Sequence, residues 1–266
     1  MPSLFASLAL LAYFVAALWQ ARELAKESGS SRGPALLALP AVLLHAIAHI
    51  VSWRASGGID LHFFTALSLI GLGTAALTAW LALSRPIGAL GVTSYPIAML
   101  TLALYAFLAP HRHAMQPLGW QIQLHAGLAL LAYAALSLAA LLAIGLWFQE
   151  RALRQRRFSA LLRVFPPLTL VEALMFRLIF VGFALLTLAL MTGAVFVENL
   201  FAQHLVHKTV LSLLAWGVFG ALLFGRVRYG WRGKRAVRLA LTAMVLLGMA
   251  FFGSKFVLEL VLARGG

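Results

Sequence analysis

The chain has no cysteine among its 266 residues. It can form no disulfide, it lacks the Cys-x-x-Cys-His motif that attaches a c-type haem, and it cannot itself reduce a partner's thiols. Carboxylates are also scarce: seven Asp and Glu stand against 21 Lys and Arg, for a net charge of +14. A proton- or cation-coupled carrier relies on carboxylates inside the membrane, and a zinc site usually draws three or four Cys, His or carboxylate ligands. Neither set is well supplied here. There is no internal repeat, no low-complexity tract and no stretch polar enough to make a soluble domain.

Apolar residues are what the chain has in excess: 63% are hydrophobic and only 11% charged. About 20 apolar residues span the hydrocarbon core, and runs of suitable length occur at 4–19, 35–53, 63–83, 87–108, 120–148, 178–197, 209–224 and 236–262. The runs are continuous and lack the period-2 alternation of a membrane β-barrel. The expected fold is therefore an all-α, polytopic membrane bundle of about eight transmembrane helices, a single integral membrane domain over residues 1–266.

Basic residues remain on the cytoplasmic side. With the N-terminus outside, the inner connections carry Arg22, Lys26, Arg32, Arg85, Arg151, Arg154, Arg156, Arg157, Arg163, Arg177, Arg226, Arg228, Arg232, Lys234, Arg235 and Arg238, which is 16 of the 21 basic residues. Eight spans then return the C-terminus to the outer, periplasmic face. The first span has no positive charge before it and three after it, a pattern expected of a helix inserted N-terminus out and not of a cleaved signal peptide. The net charge is thus mostly topology and contact with anionic headgroups, and no nucleic-acid partner is expected. From Glu150 to Arg177, arginines alternate with Phe158, Leu161, Leu162, Val164 and Phe165 ahead of Pro166 and Pro167. This stretch, about 150–177, reads as a basic amphipathic cytoplasmic segment on the headgroups, with the Pro-Pro pair as a break into the sixth span.

All eight histidines fall in the outer half of the bilayer or on its outer face. His45, about ten residues into the second span, lies about 15 Å from the inner edge, and His125 lies roughly 10 Å below the outer end of the fifth. His49 shares the His45 face, because i and i+4 project together. His62, His204 and His207 sit at the outer ends of the third and seventh spans, and His111 and His113 in the loop LAPHRHAMQPLG. An ionisable ring in hydrocarbon is costly, so it normally faces the bundle interior and has a partner. Neutral imidazole is also the commonest metal ligand, and paired imidazoles on facing helices suit haem iron.

Zinc or copper competes as the metal, but the outer acidic residues are only Asp60, Glu198 and Glu259, and the His111 and His113 spacing suits a loop. Trp53, Trp120, Phe63, Phe64 and Phe201 near the outer histidines are either candidate haem walls or the ordinary aromatic belt. Arg54, Arg112 and Lys208 either snorkel to headgroups or pair with haem propionates. Lys255 and Glu259 read as a self-neutralising i, i+4 pair.

Four stretches carry a family resemblance: LHAGLALLAYAAL around His125, VFPPLTLVEALMFRLIFVGFALLTLALMTGAVF, HKTVLSLLAWGVFGALLFGR and RYGWRGKRAVRLALTAMVLLGMAFFGSKFVLEL. With these the chain resembles the YpjD- and HemX-like branch of the CcsA/CcmC/CcmF cytochrome c assembly superfamily, integral membrane proteins that handle haem. The resemblance is strongest from Trp120 onward and looser from Pro40 to Leu72, where GGIDLHFF resembles the family's Gly-His-Phe segment. It implies that His125 and His207 match the family histidines or their flanks, with His45 and His62 as weaker matches. The tryptophan-rich motif of the family's cytochrome c synthases is missing: FVENLFAQHLVHK stands in its place.

The resulting expectation is a multi-pass protein of the bacterial inner membrane that is not an enzyme. It holds non-covalent haem b through histidines in the outer half of the bilayer, with His125 and His45 as an embedded axial pair and His207 with His62 or His49 as a shallow one. Its expected partners, besides the lipid bilayer, are proteins of cytochrome c maturation or haem biosynthesis. Two other readings stay open: an accessory of transport or ion translocation, and a regulatory membrane scaffold without haem.

Overall fold

Backbone groups in lipid must find their hydrogen bonds within the protein, and continuous apolar runs satisfy this as helices. In the computed structural model, which describes residues 4–26, 32–85, 87, 89–109, 118–155, 166–196 and 203–253, the runs form helices α1 (Leu4–Ala25), α2 (Arg32–Ser56), α3 (Phe63–Ser84), α4 (Ala89–Leu108), α5 (Trp120–Arg154), α6 (Leu168–Phe196), α7 (Gln203–Tyr229) and α8 (Lys234–Gly248). A π-helical turn, Met249–Gly253, continues α8. All eight helices are long and apolar enough to cross a membrane. The fold is the all-helical polytopic bundle that the composition predicts.

The chain divides into two compact units. The first comprises residues 1–118 and 148–171. In it α1 packs on α2, α2 on α3, α3 on α4 and α4 on α1, closing a four-helix ring. Its core is built mainly from alanine: Ala16, Ala38, Ala41, Ala75, Ala79 and Ala98 surround the buried Tyr13 and Tyr95, while Ala6, Ala9, Ala48 and Ala106 surround Leu102. Small side chains let helices approach closely where lipid supplies no hydrophobic drive for association. Gly71 takes this furthest. A Cβ there would lie 2.1 Å from Thr101 Oγ1 and 3.3 Å from Ala98 Cα. Gly71→Ala is therefore expected to destabilise the α3–α4 pair by about 1–3 kcal/mol, measured as a lower midpoint of thermal unfolding in detergent; an unchanged midpoint would mean that α3 and α4 separate freely.

The second unit, residues 119–147 and 172–266, is tied around by side chains as well as by the packing of α7 on α8. His125 of α5 bonds to α6, Trp216 of α7 donates to Thr187 of α6 at 2.9 Å, and the Tyr133 hydroxyl of α5 donates to the Leu247 carbonyl of α8. That carbonyl lies where α8 widens into the π turn, a change of pitch that leaves a backbone acceptor for a side chain.

Several helices extend beyond the apolar runs that predict them, α6 and α7 the furthest. α6 begins at Leu168 and not near Leu178, with the amides of Leu170 and Val171 capped by the Pro167 carbonyl. The polar turn this adds is tolerated because Glu172, only 8% exposed, meets Arg226 of α7 at 2.7 Å and Arg232 at 3.6 Å. The stretch 150–177 thus divides: 150–154 complete α5, 168–177 open α6, and 156–165 lie outside the described residues. His111, His113, Arg112, Glu198, Phe201, Lys255 and Glu259 also lie outside them.

Around Trp231 the turn between α7 and α8 is closely built. Gly230 and Gly233 take positive φ, 65° and 58°, which glycine alone adopts without strain. The turn folds Trp231 over Gly225, where a Cβ would fall 2.2 Å from the indole. Arg226 reaches the Trp231 carbonyl at 3.2 Å and lies over the Phe176 ring at 4.5 Å.

Candidate histidine sites

The i, i+4 spacing on α2 directs His45 and His49 to one face, and both rings are buried, at 0% and 1% exposure. Their centroids are 5.3 Å apart. Ser68 of α3 meets both: its Oγ lies 2.8 Å from His45 Nε2 and 3.0 Å from His49 Nε2. The Tyr13 hydroxyl of α1 reaches the other side of His45, 3.3 Å from Nδ1, so both nitrogens of that ring are engaged. On His49, Nδ1 is buried and has no hydrogen-bond partner among the described residues. Tyr105 and Trp53 pack against it, with ring centroids at 4.3 Å and 5.8 Å.

In the second unit His125 is half-buried on α5. Its Nδ1 lies 2.9 Å from the Ala189 carbonyl and 3.3 Å from Thr192 Oγ1. A carbonyl only accepts, so Nδ1 carries the proton and Nε2 holds the lone pair, with no hydrogen-bond partner among the described residues. Metal-ligating histidines are characteristically held this way, one ring N–H given to an oxygen and the other nitrogen aimed at the metal. Gly193, a turn beyond Ala189, permits the approach: a Cβ there would stand 3.1 Å from His125 Cε1.

His62 is buried just ahead of α3, where its amide donates to Asp60 Oδ1 at 2.8 Å and its ring lies 5.8 Å from Phe64. His207 is exposed on the first turns of α7, and the side chain of His204 is outside the described residues. Hence His45, His49 and His62 belong to the first unit, where the first two share one serine, and His125 and His207 belong to the second. Among the described residues no group of three or more His, Cys, Asp or Glu could hold a metal ion, so zinc has no conventional ligand set there. A single imidazole with a fixed tautomer does suit an axial position on haem iron, whose other four ligands come from the macrocycle.

Ser68, Tyr13, Ala189 and Gly193 were not among the residues picked out by sequence. The available signal was a serine in the middle of an apolar span, which requires a polar partner as much as a histidine does.

A family profile described as "Cytochrome C assembly protein" matches residues 2–262. The inner membrane protein YpjD of Escherichia coli K12 is 34% identical over 260 residues, covering 97% of this chain and 98% of that protein. The cytochrome c biogenesis protein CcsA of Prochlorococcus marinus AS9601 is 28% identical over 189 residues, 60% of this chain and 61% of that one. A 28.8 kDa protein of Azospirillum brasilense is 36% identical over 171 residues, 62% and 63% of the two chains. No solved structure matches. With eight apolar spans and a near full-length inner-membrane relative, the chain is a multi-pass protein of the bacterial inner membrane. It belongs to the cytochrome c assembly protein family.

Proposed function

We propose that this protein binds haem b non-covalently through imidazole nitrogens and serves cytochrome c maturation or haem homeostasis by holding haem, without itself catalysing a reaction. One observation supports this above the others: His125 donates its Nδ1 proton to a backbone carbonyl, which leaves the lone pair of the neutral ring on Nε2. Each unit carries its own candidate imidazoles: His45, His49 and His62 in the first, His125 and His207 in the second.

Haem bound there would supply an iron that takes imidazole nitrogen and exchanges one electron. The chain's own residues do the rest. The Ala189 carbonyl orients His125 and holds its proton on Nδ1. Gly193 leaves space for that ring, and Thr192 Oγ1 lies beside Nδ1, 3.3 Å away. Imidazole ligation would suit holding haem and not oxygen chemistry. The ion-carrier reading gains less support, because the buried carboxylate Glu172 is neutralised by two arginines.

The deciding experiment is purification in mild detergent, followed by oxidised and dithionite-reduced visible spectra and a pyridine haemochrome assay. A stoichiometric low-spin b-type spectrum is expected. A colourless protein after expression with ample haem, and after attempted reconstitution, would overturn the proposal in favour of a scaffold.

A further inference from the structure

The stretch 226–238, which turns α7 into α8, carries Arg226, Arg228, Arg232, Lys234, Arg235 and Arg238. Counter-charge is scarce there. Among the described residues the one carboxylate that meets them is Glu172, which takes Arg226 at 2.7 Å and Arg232 at 3.6 Å. Arg228, Lys234, Arg235 and Arg238 are exposed and make no ion pair among the described residues. Two of them are nonetheless held in place. Arg235 lies over the Trp231 ring at 4.8 Å and Arg228 over the Tyr229 ring at 5.9 Å, and the two rings stack on each other with centroids 6.1 Å apart. A guanidinium laid on an aromatic face keeps the N–H edges of its fork free, and that fork matches the oxygens of a phosphate. Ala236, Val237 and Ala240 form the buried face of α8, and Lys234 and Arg238, four residues apart, project together from its exposed side. Apolar surface adjoins these cations at the end of α7, where Val227 is 90% and Phe224 62% exposed.

We propose that the α7–α8 turn binds an anionic phospholipid of the two-phosphate, diphosphatidylglycerol class. Arg228 and Arg235, fixed on Tyr229 and Trp231, take one phosphate each. Lys234 and Arg238 add positive charge, and acyl chains run along Phe224 and Val227. Charge complementarity sets the class, because a single phosphate would leave one of the two stacked guanidiniums without a counter-ion. The exposed apolar side chains favour a lipid over a soluble anion or a hydrophilic acidic peptide, neither of which would cover them. General attraction of basic segments to headgroups depends on charge alone; this site depends also on the rings that hold the guanidiniums. It is independent of the haem reading.

The test is native mass spectrometry of the full-length protein in detergent micelles doped with diphosphatidylglycerol, phosphatidylglycerol or phosphatidylcholine, with pyrophosphate and a glutamate-rich peptide as competitors. A single molecule of diphosphatidylglycerol should stay bound after the micelle is stripped, in preference to the other two lipids. Arg228→Gln combined with Arg235→Gln should weaken its retention by about tenfold or more. Tyr229→Leu, which keeps every charge, should weaken it too, whereas Arg22→Gln combined with Lys26→Gln, which removes the same charge at the end of α1, should not. All five of these side chains are exposed, so the variants should fold. Equal losses from the two charge-matched pairs, or full retention in Tyr229→Leu, would reduce the effect to net charge and overturn the proposal. Retention of phosphatidylglycerol or phosphatidylcholine equal to that of diphosphatidylglycerol, or displacement of the lipid by pyrophosphate or the peptide, would overturn it as well.

Discussion

His125→Ala is expected to remove more than half of the haem from the purified protein, with normal abundance and unchanged helical content. The size of the loss follows from what alanine takes away. Disturbing a residue that merely orients a metal ligand typically costs 10–100-fold in affinity, about 1.4–2.7 kcal/mol; removing the ligating nitrogen should cost at least as much. The fold has little reason to suffer, because His125 is half-buried and its one strong bond is to the Ala189 carbonyl, which lies within α6. Pyridine haemochrome per mole of protein reads the result directly. Haem content equal to that of the wild type would remove His125 from the site. A weaker version of the same loss is expected from any bulky side chain at position 193, since the ring already stands at contact distance from where a Cβ would be.

Arg226→Ala should produce the largest loss of stability. It would leave Glu172, whose side chain is 11% exposed, facing only Arg232 at 3.6 Å, itself 64% exposed. Breaking a buried ion pair by removing one partner costs about 3–5 kcal/mol, most of it the uncompensated buried charge. Here the lower end, about 3 kcal/mol, is expected, because Arg226 is one-third exposed and Arg232 gives partial compensation. The same substitution also removes the bond to the Trp231 carbonyl and the cover over Phe176. Glu172→Ala should cost less, since Arg226 can turn toward water or headgroups, as long basic side chains do. The double variant should be closer to wild type than the sum of the two singles, with a coupling of about 1–3 kcal/mol. Thermal unfolding in detergent and abundance in the membrane would measure all three. Additive effects would show that the 2.7 Å contact contributes nothing of its own.

Why the ion pair escaped sequence reading is instructive. An apolar run identifies a span by itself, and eight such runs predict eight helices. The extra turns of α6 contain Glu172 and Arg177, which look too polar for a membrane helix, and the arginine that neutralises Glu172 lies 54 positions later in the chain. No local pattern encodes that partner. The histidines divide in the same way. The shared face of His45 and His49 is legible from their i, i+4 spacing. The serine that joins them is not, because Ser68 sits 19 and 23 residues away from them in an unremarkable apolar stretch. Division into two compact units was also illegible, since both halves have the same lipid-compatible composition and no polar linker marks the change.

The alanine-lined interior of the first unit bears on how fast a cofactor can arrive. His45 and His49 are buried among Ser68, Tyr13, Trp53 and Tyr105, whereas His125 is half open. A large planar ligand cannot reach an imidazole at 0% exposure by diffusion alone; neighbouring helices must first part. Loading should therefore be biphasic: a first step at the open imidazole whose rate rises with ligand concentration, then a slower one whose rate is set by the opening of the bundle and is indifferent to how much ligand is supplied.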